Sequence, residues 1–400
     1  MKVLQINAVY EHSSTGRSTT EMHKYLLAEG YDSYVAAVNL PKSDGNLIKL
    51  GTRLSSIFHA FMSHLTGRQG YYSYFSTKSL LRKINKIKPD IVYLRVLHSN
   101  CLYIPALLSY LADNNIPTAI ILHDCWFFTG HCCYFTDANC DKWKAQCGQC
   151  PELKTWNKSW FFDRSRKNLL DKKRLFSRIN KLAVIGVSDW VTNLIQESIL
   201  KNAAIVKRIY NWVDIEKFKP TNNDIRNKLG LQNDFVVLGV AQNWNTQKGI
   251  LDILKIADLM PDYIFVLVGN ISQKYCPLPT NIINVGVLSS ERDLSDYYSM
   301  SDVFFNPSMR ETFGKVTIEA LSCGTPVIGY NLTATPELIS PSCGFVTEQS
   351  NYGAVINALQ TIQKKGKNVY SVNCRHFVIN NFSQKKIMSE HINLYKQLVQ

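Results

Sequence analysis

The sequence predicts an α/β protein of two domains, each built on a parallel sheet. Three observations carry this. Short apolar runs recur and end in turn residues, as buried strands do: 3–8, 33–38, 90–95, 118–122, 182–187, 205–209, 235–241, 264–268, 283–288 and 303–305. Stretches that read as helix separate many of them, near 19–29, 54–65, 77–88, 104–114, 352–364 and 383–399. A length of 400 residues suits two domains with substantial cores, and 46% hydrophobic against 19% charged residues describes a folded chain.

The chain starts at a strand, with no basic stretch, apolar core and cleavage site ahead of it, so no signal peptide is expected. No clean apolar run of about 18 residues suggests a membrane span. The expectation is a cytoplasmic protein, with its eleven cysteines as thiols or metal ligands rather than disulfides. The net charge of +14 favours acidic partners: a nucleotide diphosphate, an anionic membrane surface or nucleic acid.

The loop 13–18, S-S-T-G-R-S, follows the first strand, where α/β folds place phosphates. It lacks a full G-x-G-x-x-G, and an ordinary turn is the plain alternative. Gly16 permits close backbone approach and Arg17 offers charge. The strand 118–122 ends at His123, Asp124, Cys125 and Trp126, at the carboxyl edge where ligands sit in open sheets. Cys132, Cys140, Cys147 and Cys150 follow. Four thiolates suit a tetrahedral structural zinc, although C-x7-C-x6-C-x2-C is not a standard ribbon; free thiols in a packed insertion are the alternative. Residues 142–181 are strongly basic and carry Trp156, Trp160, Phe161 and Phe162 near their start. A solvated basic helix is the default; contact with anionic lipid is the sharper reading.

An interdomain linker is expected near 211–221. Beyond the strand 235–241 stands Q-N-W-N-T-Q-K-G, where Lys248 at a strand's carboxyl end can neutralise a diphosphate as it leaves. A surface lysine is the bland alternative. Residues 306–337 read N-P-S-M-R-E-T-F-G-K-V-T-I-E-A-L-S-C-G-T-P-V-I-G-Y-N-L-T-A-T-P-E. They predict a loop, a helix capped by Thr312 and starting near Phe313, and a strand over 325–329, the second half of a βαβ unit. The helix N-terminus offers N–H groups to a diphosphate. Glu311 and Glu319 are eight residues apart, about 12 Å of helix. Each carboxylate can accept from a vicinal diol.

E-T-F-G-K-V-T-I-E-A-L-S-C-G-T-P-V-I followed by A-T-P-E resembles the E-x7-E signature of retaining GT-B glycosyltransferases. It is most similar to family 4 enzymes that build bacterial surface polysaccharides of the colanic-acid and capsule type. The resemblance implies two Rossmann-like domains facing across a cleft: an acceptor-side domain, 1–211, with a cysteine-rich insertion at 125–160; a nucleotide-sugar domain, 221–380; and a last helix, 381–400, crossing back. It implies that His123 faces the sugar at the reaction centre and that Asp124 and Trp126 shape the acceptor side. Gly16, Arg17, Gln242, Val287, Phe313, Gly314, Lys315 and Glu319 would serve the donor. Val287, beside Gly286, would meet the base through backbone, which leaves UDP and GDP unseparated. Glu311 would hold the transferred sugar, Glu319 the ribose and Lys248 the diphosphate. Gln242 and Asn243 stand where the family usually has an arginine, a departure that leaves Arg17 or Arg310 to supply a second cation. Similar cysteines recur in this subgroup and would pin a loop beside the acceptor.

The implied reaction moves a sugar from a UDP- or GDP-sugar to a saccharide or lipid-linked saccharide, with retention and without a catalytic metal. The implied setting is the cytoplasm, at the inner face of the plasma membrane. The rivals are a zinc-stabilised, basic nucleic-acid-binding protein, which lacks an RRM, KH or helix-turn-helix pattern, and a GT-B epimerase or hydrolase of nucleotide sugars.

Overall fold

The computed structural model describes residues 1–41 and 45–400. The first domain comprises Met1–Ile209 with Met388–Gln400, and the second Tyr210–Ile387.

In the first domain the order is β1 (Lys2–Ile6), α1 (Ser13–Ala28), β2 (Asp32–Ala37), β3 (Leu47–Lys49), α2 (Arg53–Thr66), α3 (Tyr74–Ile87), β4 (Ile91–Leu94), α4 (Ile104–Asp113), β5 (Thr118–Leu122), α5 (Ser165–Phe176), β6 (Leu182–Gly186), α6 (Asp189–Glu197) and β7 (Ile205–Arg208). The strands are parallel, in the order β3-β2-β1-β4-β5-β6-β7. The inner strands β4, β5 and β6 are buried at every residue, which is why they read as unbroken apolar runs rather than alternating ones.

The second domain contains α7 (Ile225–Leu229), β8 (Val236–Trp244), α8 (Ile250–Leu259), β9 (Ile264–Ile271), β10 (Ile282–Gly286), α9 (Glu291–Met300), β11 (Val303–Asn306), α10 (Lys315–Ser322), β12 (Val327–Tyr330), β13 (Gly344–Thr347), α11 (Tyr352–Lys365), α12 (Asn368–Phe382) and the start of α13 (Gln384–Val399). Its strands are also parallel, ordered β10-β9-β8-β11-β12-β13. From Met388 onward α13 belongs to the first domain, where the rings of His391 and Tyr395 lie 5.7 and 5.5 Å from that of Tyr93.

Each sheet reverses its strand order once, between β1 and β4 in the first domain and between β8 and β11 in the second. Loops leaving the carboxyl ends of two such strands diverge to opposite faces and leave a crevice, the usual ligand position of an open α/β sheet.

Several expectations are corrected. The stretch 13–18 is not a loop: α1 begins at Ser13, and the turn before it is held by left-handed backbone at Glu11 and Ser13 (φ 62° and 64°). The stretch 211–221 is not a free linker. Trp212, Val213 and Phe218 are buried within the second domain, where Arg375 donates to the carbonyls of Ile215 and Phe218. Helix α12 and strands β3 and β13 were not foreseen. Among the described residues, no helix is long and apolar enough to cross a membrane.

Candidate active site

The crevice of the second domain is built from the loops after β8 and β11. After β8, the Asn245 side chain accepts the Lys248 N–H at 3.0 Å and closes a single helical turn, Thr246–Lys248. Gly249 then reverses the chain into α8 with φ 75°, and a Cβ there would meet the Pro307 carbonyl oxygen at 2.4 Å. Only glycine fits that approach between the two loops. The Met309 N–H donates to the Gln247 carbonyl (2.9 Å), tying them further.

After β11, Asn306 points its amide at the Thr317 hydroxyl on α10 (3.1 Å), which holds the strand end against the helix. Glu311 is fixed through its backbone: its N–H donates to the Thr333 hydroxyl (2.9 Å), and its carbonyl accepts from Ala334 (3.2 Å). Three successive loops therefore set one carboxylate. Its Oε1 lies 2.5 Å from the Lys248 ammonium, which is also 3.5 Å from the Ser308 hydroxyl.

Beside this pair, α10 starts later than expected. Thr312 does not cap it; Gly314 is the N-cap, with φ 92°, and has no side chain to accept a first-turn N–H. A left-handed residue at this position suits glycine, and the first N–H groups of the helix carry the positive end of its dipole. Lys315 is the first helical residue, its ammonium 5.9 Å from the Trp212 ring. Phe313 turns inward and packs on Tyr210 and Phe382 (both centroids 5.8 Å), so only its backbone is available to a ligand. Because only residues from Lys315 are helical, helix rise alone does not set the Glu311–Glu319 spacing. Glu319 is 1% exposed, which excludes a solvated-face role, and accepts from the Tyr298 hydroxyl at 3.4 Å. Gln242 and Val287 are exposed, at the end of β8 and just past β10. Arg310 lies in the Glu311 loop, half-buried.

In the first domain, Gly16 and Arg17 lie in the first turns of α1. His123 follows β5, and its Nε2 is 3.1 Å from Nη2 of the fully buried Arg95. A guanidinium only donates, so this Nε2 accepts and the ring carries its proton on Nδ1. Asp124 accepts from the Trp126 N–H (2.8 Å) and pairs with His98 Nε2 (2.7 Å). Burial alone would raise the Asp124 carboxyl and depress His98. Their mutual attraction outweighs it, so Asp124 sits below the usual carboxylate range and His98 well above the usual histidine value. Trp126 is buried, with the Lys172 ammonium 3.3 Å from its ring centroid. Burial pushes Lys172 down to about 7, against the pull of nearby thiols and Asp124. Sequence reasoning missed His98, Arg95, Ser308 and Thr333. For His98 a signal existed, since it lies in the loop that leaves β4, as His123 lies in the loop that leaves β5.

Cys132, Cys140, Cys147 and Cys150 line one small pocket with His131. The donor set suits zinc, but the spacing is wide. Among the described residues, the group of three or more metal-capable atoms lying within 4.8 Å of one another is His98, Asp124 and Cys133, not the quartet. Four thiolates on zinc stand about 3.8 Å apart, from Zn–S bonds near 2.3 Å. The His98 group is already satisfied as an ion pair, because Asp124 and Cys133 both approach the same nitrogen, at 2.7 and 3.9 Å.

Two parallel α/β domains place this chain in the GT-B class, a fold it shares over nearly its full length with solved structures. Sucrose-phosphate synthase from Thermosynechococcus elongatus is similar with a TM-score of 0.71 at 16% identity, covering 99% of this chain and 98% of that one. Anabaena Alr3699/HepE in complex with UDP is similar at 0.68 and 17%, covering 99% and 100%. Residues 15–217 match Glycosyltransferase Family 4, and residues 221–373 match Glycosyl transferases group 1. The chain belongs to glycosyltransferase family 4. Among curated relatives, a UDP-Gal:alpha-D-GlcNAc-diphosphoundecaprenol alpha-1,3-galactosyltransferase of Escherichia coli is 32% identical over 209 residues, 48% of this chain and 54% of that protein. An alpha-galactosylglucosyldiacylglycerol synthase of Streptococcus pneumoniae is 30% identical over 39% of this chain and 46% of that protein. The chain thus spans about half the length of these two relatives. The putative colanic acid biosynthesis glycosyl transferase WcaC of Escherichia coli K12 is 22% identical over the whole of both chains.

Proposed function

We propose that the protein transfers a sugar from a nucleoside-diphosphate sugar to a saccharide or lipid-linked saccharide during surface-polysaccharide synthesis. The observation that carries this reading is the Lys248–Glu311 pair at the strand-order reversal of the second domain, beside the N-terminus of α10. With donor bound, the ammonium turns to the diphosphate and the carboxylate accepts from hydroxyls of the transferred sugar. Glu319 accepts from the ribose.

The reaction retains configuration through a front-face displacement. The bond between the anomeric carbon and the diphosphate oxygen breaks as the acceptor oxygen bonds to that carbon on the same face. The departing diphosphate takes the acceptor's proton. Lys248 and the α10 N–H groups stabilise the negative charge that grows on it. These groups supply the electrostatic stabilisation without a catalytic metal. His123 serves the reaction centre and Asp124 the acceptor. Zinc, drawing the cysteine quartet together, would stiffen the insertion that carries Asp124's neighbours. Family membership and relatives that act on a diphosphoundecaprenol-linked sugar or carry a colanic acid name support this over nucleic-acid binding.

The test is a melting-temperature screen of UDP- and GDP-sugars. A ligand at 100 times its Kd should stabilise the fold by about 2.7 kcal/mol. The protein should respond to one base series, and its Lys248→Ala variant should not. No response to either series would overturn the reading.

A further inference from the structure

Helix α2 is amphipathic the wrong way round for a soluble domain. Its inward side is polar. His59 is fully buried, bonded through Nδ1 to the Ser73 hydroxyl (2.6 Å) and through Nε2 to the Gly70 N–H (3.1 Å), and burial holds it neutral by pushing it down to about 4. Its outward side is apolar. Leu54, Ile57, Phe58 and Phe61 follow i, i+3, i+4, i+7 spacing on one stripe, and are 79, 56, 57 and 51% exposed. The helix is firmly set, with a Thr52 capping box at one end and Gly67 at the other, so this stripe is a fixed surface.

The stripe continues into the cysteine-rich insertion. The Trp160 ring lies 5.7 Å from Phe61 and 5.3 Å from His64, the Trp160 backbone N–H donates to the His64 carbonyl (2.7 Å), and Phe161 beyond it is 69% exposed. Contiguous exposed apolar area on this scale marks an interaction site. Its chemistry indicates the partner. Residues 53–66 and 153–162 contain no Asp or Glu, while Arg53, Lys154 and Lys158 are cationic. The Lys154 ammonium sits on the Trp160 carbonyl (2.6 Å). Aromatic side chains interleaved with cations, and no anions, suit the headgroup zone of an anionic bilayer.

We propose that the outward face of α2, continued by Trp160 and Phe161, is the surface by which the first domain enters an anionic lipid bilayer. This deepens the reading of a lipid-linked acceptor and rests on it for its purpose, though not for its geometry. Apolar side chains seat below the headgroups and the flanking cations meet lipid phosphates.

The experiment is flotation of the full chain with phosphatidylglycerol-containing vesicles and with pure phosphatidylcholine vesicles. The expected result is binding to the anionic vesicles, weaker on neutral ones and reduced by salt. A Leu54→Ser/Phe58→Ser variant changes only exposed side chains and should lose about ten-fold or more in partitioning. A control, Val369→Ser/Val372→Ser, alters residues of similar exposure (58 and 62%) in the second domain and should bind like the parent. Undiminished flotation of the α2 variant, or no flotation of the parent at low salt, overturns the proposal. So does a concentration-dependent dimer, seen by light scattering, that this variant makes monomeric, because the face would then join two copies. Nucleotide-induced melting shifts measured on the same samples separate the two readings. Flotation without any nucleotide response counts against the transferase, and the reverse counts against this surface alone.

Discussion

The Lys248 ammonium and the Glu311 carboxylate lie 2.5 Å apart across 63 residues of sequence, each at the end of a strand flanking the reversal of the second sheet. The lysine side chain is 39% exposed, so the pair contributes only about 1 kcal/mol or less to stability. Three loops and two tied strand ends are a large apparatus for so small a gain, and are better understood as aiming two groups at a ligand. Lys248→Ala and Glu311→Ala should each lower transfer by about 10²–10³-fold, with melting temperatures within a few degrees of the parent. Full transfer by either variant removes the assignment.

Glu319 requires a gentler substitution. It is buried on α10, and alanine would leave a void as well as delete an acceptor. Glu319→Gln keeps the shape. If this carboxylate takes the ribose hydroxyls, nucleotide Kd should rise about ten-fold, the worth of one charged hydrogen bond, with little change in the rate at saturation. An unchanged Kd, measured by calorimetry, assigns Glu319 to the core alone.

Gly249 links stability to the site. An alanine there takes φ 75° and drives its Cβ to 2.4 Å from the Pro307 carbonyl oxygen. Gly230 has nearly the same backbone, φ 71°, with nothing within 4 Å. Gly230→Ala should cost about 1 kcal/mol, the conformational penalty alone. Gly249→Ala should cost about 2 kcal/mol more, because two loops must part, and should weaken nucleotide binding as Lys248 shifts. Denaturant unfolding of the two variants side by side measures the difference. Equal costs would show that the loop contact carries no energy.

Much of this was legible in the residues. Buried parallel strands write themselves as unbroken apolar runs, so 118–122 and 303–305 were readable, and their carboxyl ends pointed to His123 and Glu311. Where local composition and tertiary setting disagree, the reading failed. S-S-T-G-R-S looks like a loop because Ser, Thr and Gly are poor helix formers, yet α1 starts there on strained backbone at Ser13. Helix α12 buries Tyr370, Cys374, Val378 and Phe382 at every fourth position, but exposed Val369 and Val372 blur that stripe in the sequence. Trp126 was expected to shape the acceptor side; that its ring is buried against Lys172, 46 residues on, has no sign in its own segment. His98 was not singled out, because its partner Asp124 comes from another strand end.

The cysteine quartet predicts metal content. Burial raises the Cys132 and Cys147 thiols and pushes Cys150 up to about 12, so only a cation that replaces their protons would draw them together. Elemental analysis of the purified protein should find about one zinc per chain, and Cys147→Ser should lose it and melt lower. Less than about half an equivalent would leave free thiols in a packed insertion.

The His98–Asp124 pair predicts a pH dependence with a definite sign. The folded His98 value lies well above its unfolded value of about 6.5, so its contribution is complete below that pH and fades as pH rises through the folded value. The folded Asp124 value lies below about 3.9, so its contribution is complete above that pH and fades as pH falls through the folded value. Both are complete between about pH 4 and 6.5. Lys172, lowered to about 7, faces the same carboxylate and works the other way, because its penalty is relieved as pH rises above 7. Comparing the parent with His98→Asn at each pH cancels that background. The gap in unfolding free energy should be about 3 kcal/mol near pH 5.5, the cost of stripping a buried carboxylate of its partner, and should narrow toward pH 9. Urea unfolding at the two pH values measures it. A gap that stays constant would mean that His98 is neutral in the folded protein and serves Asp124 only as a hydrogen-bond donor.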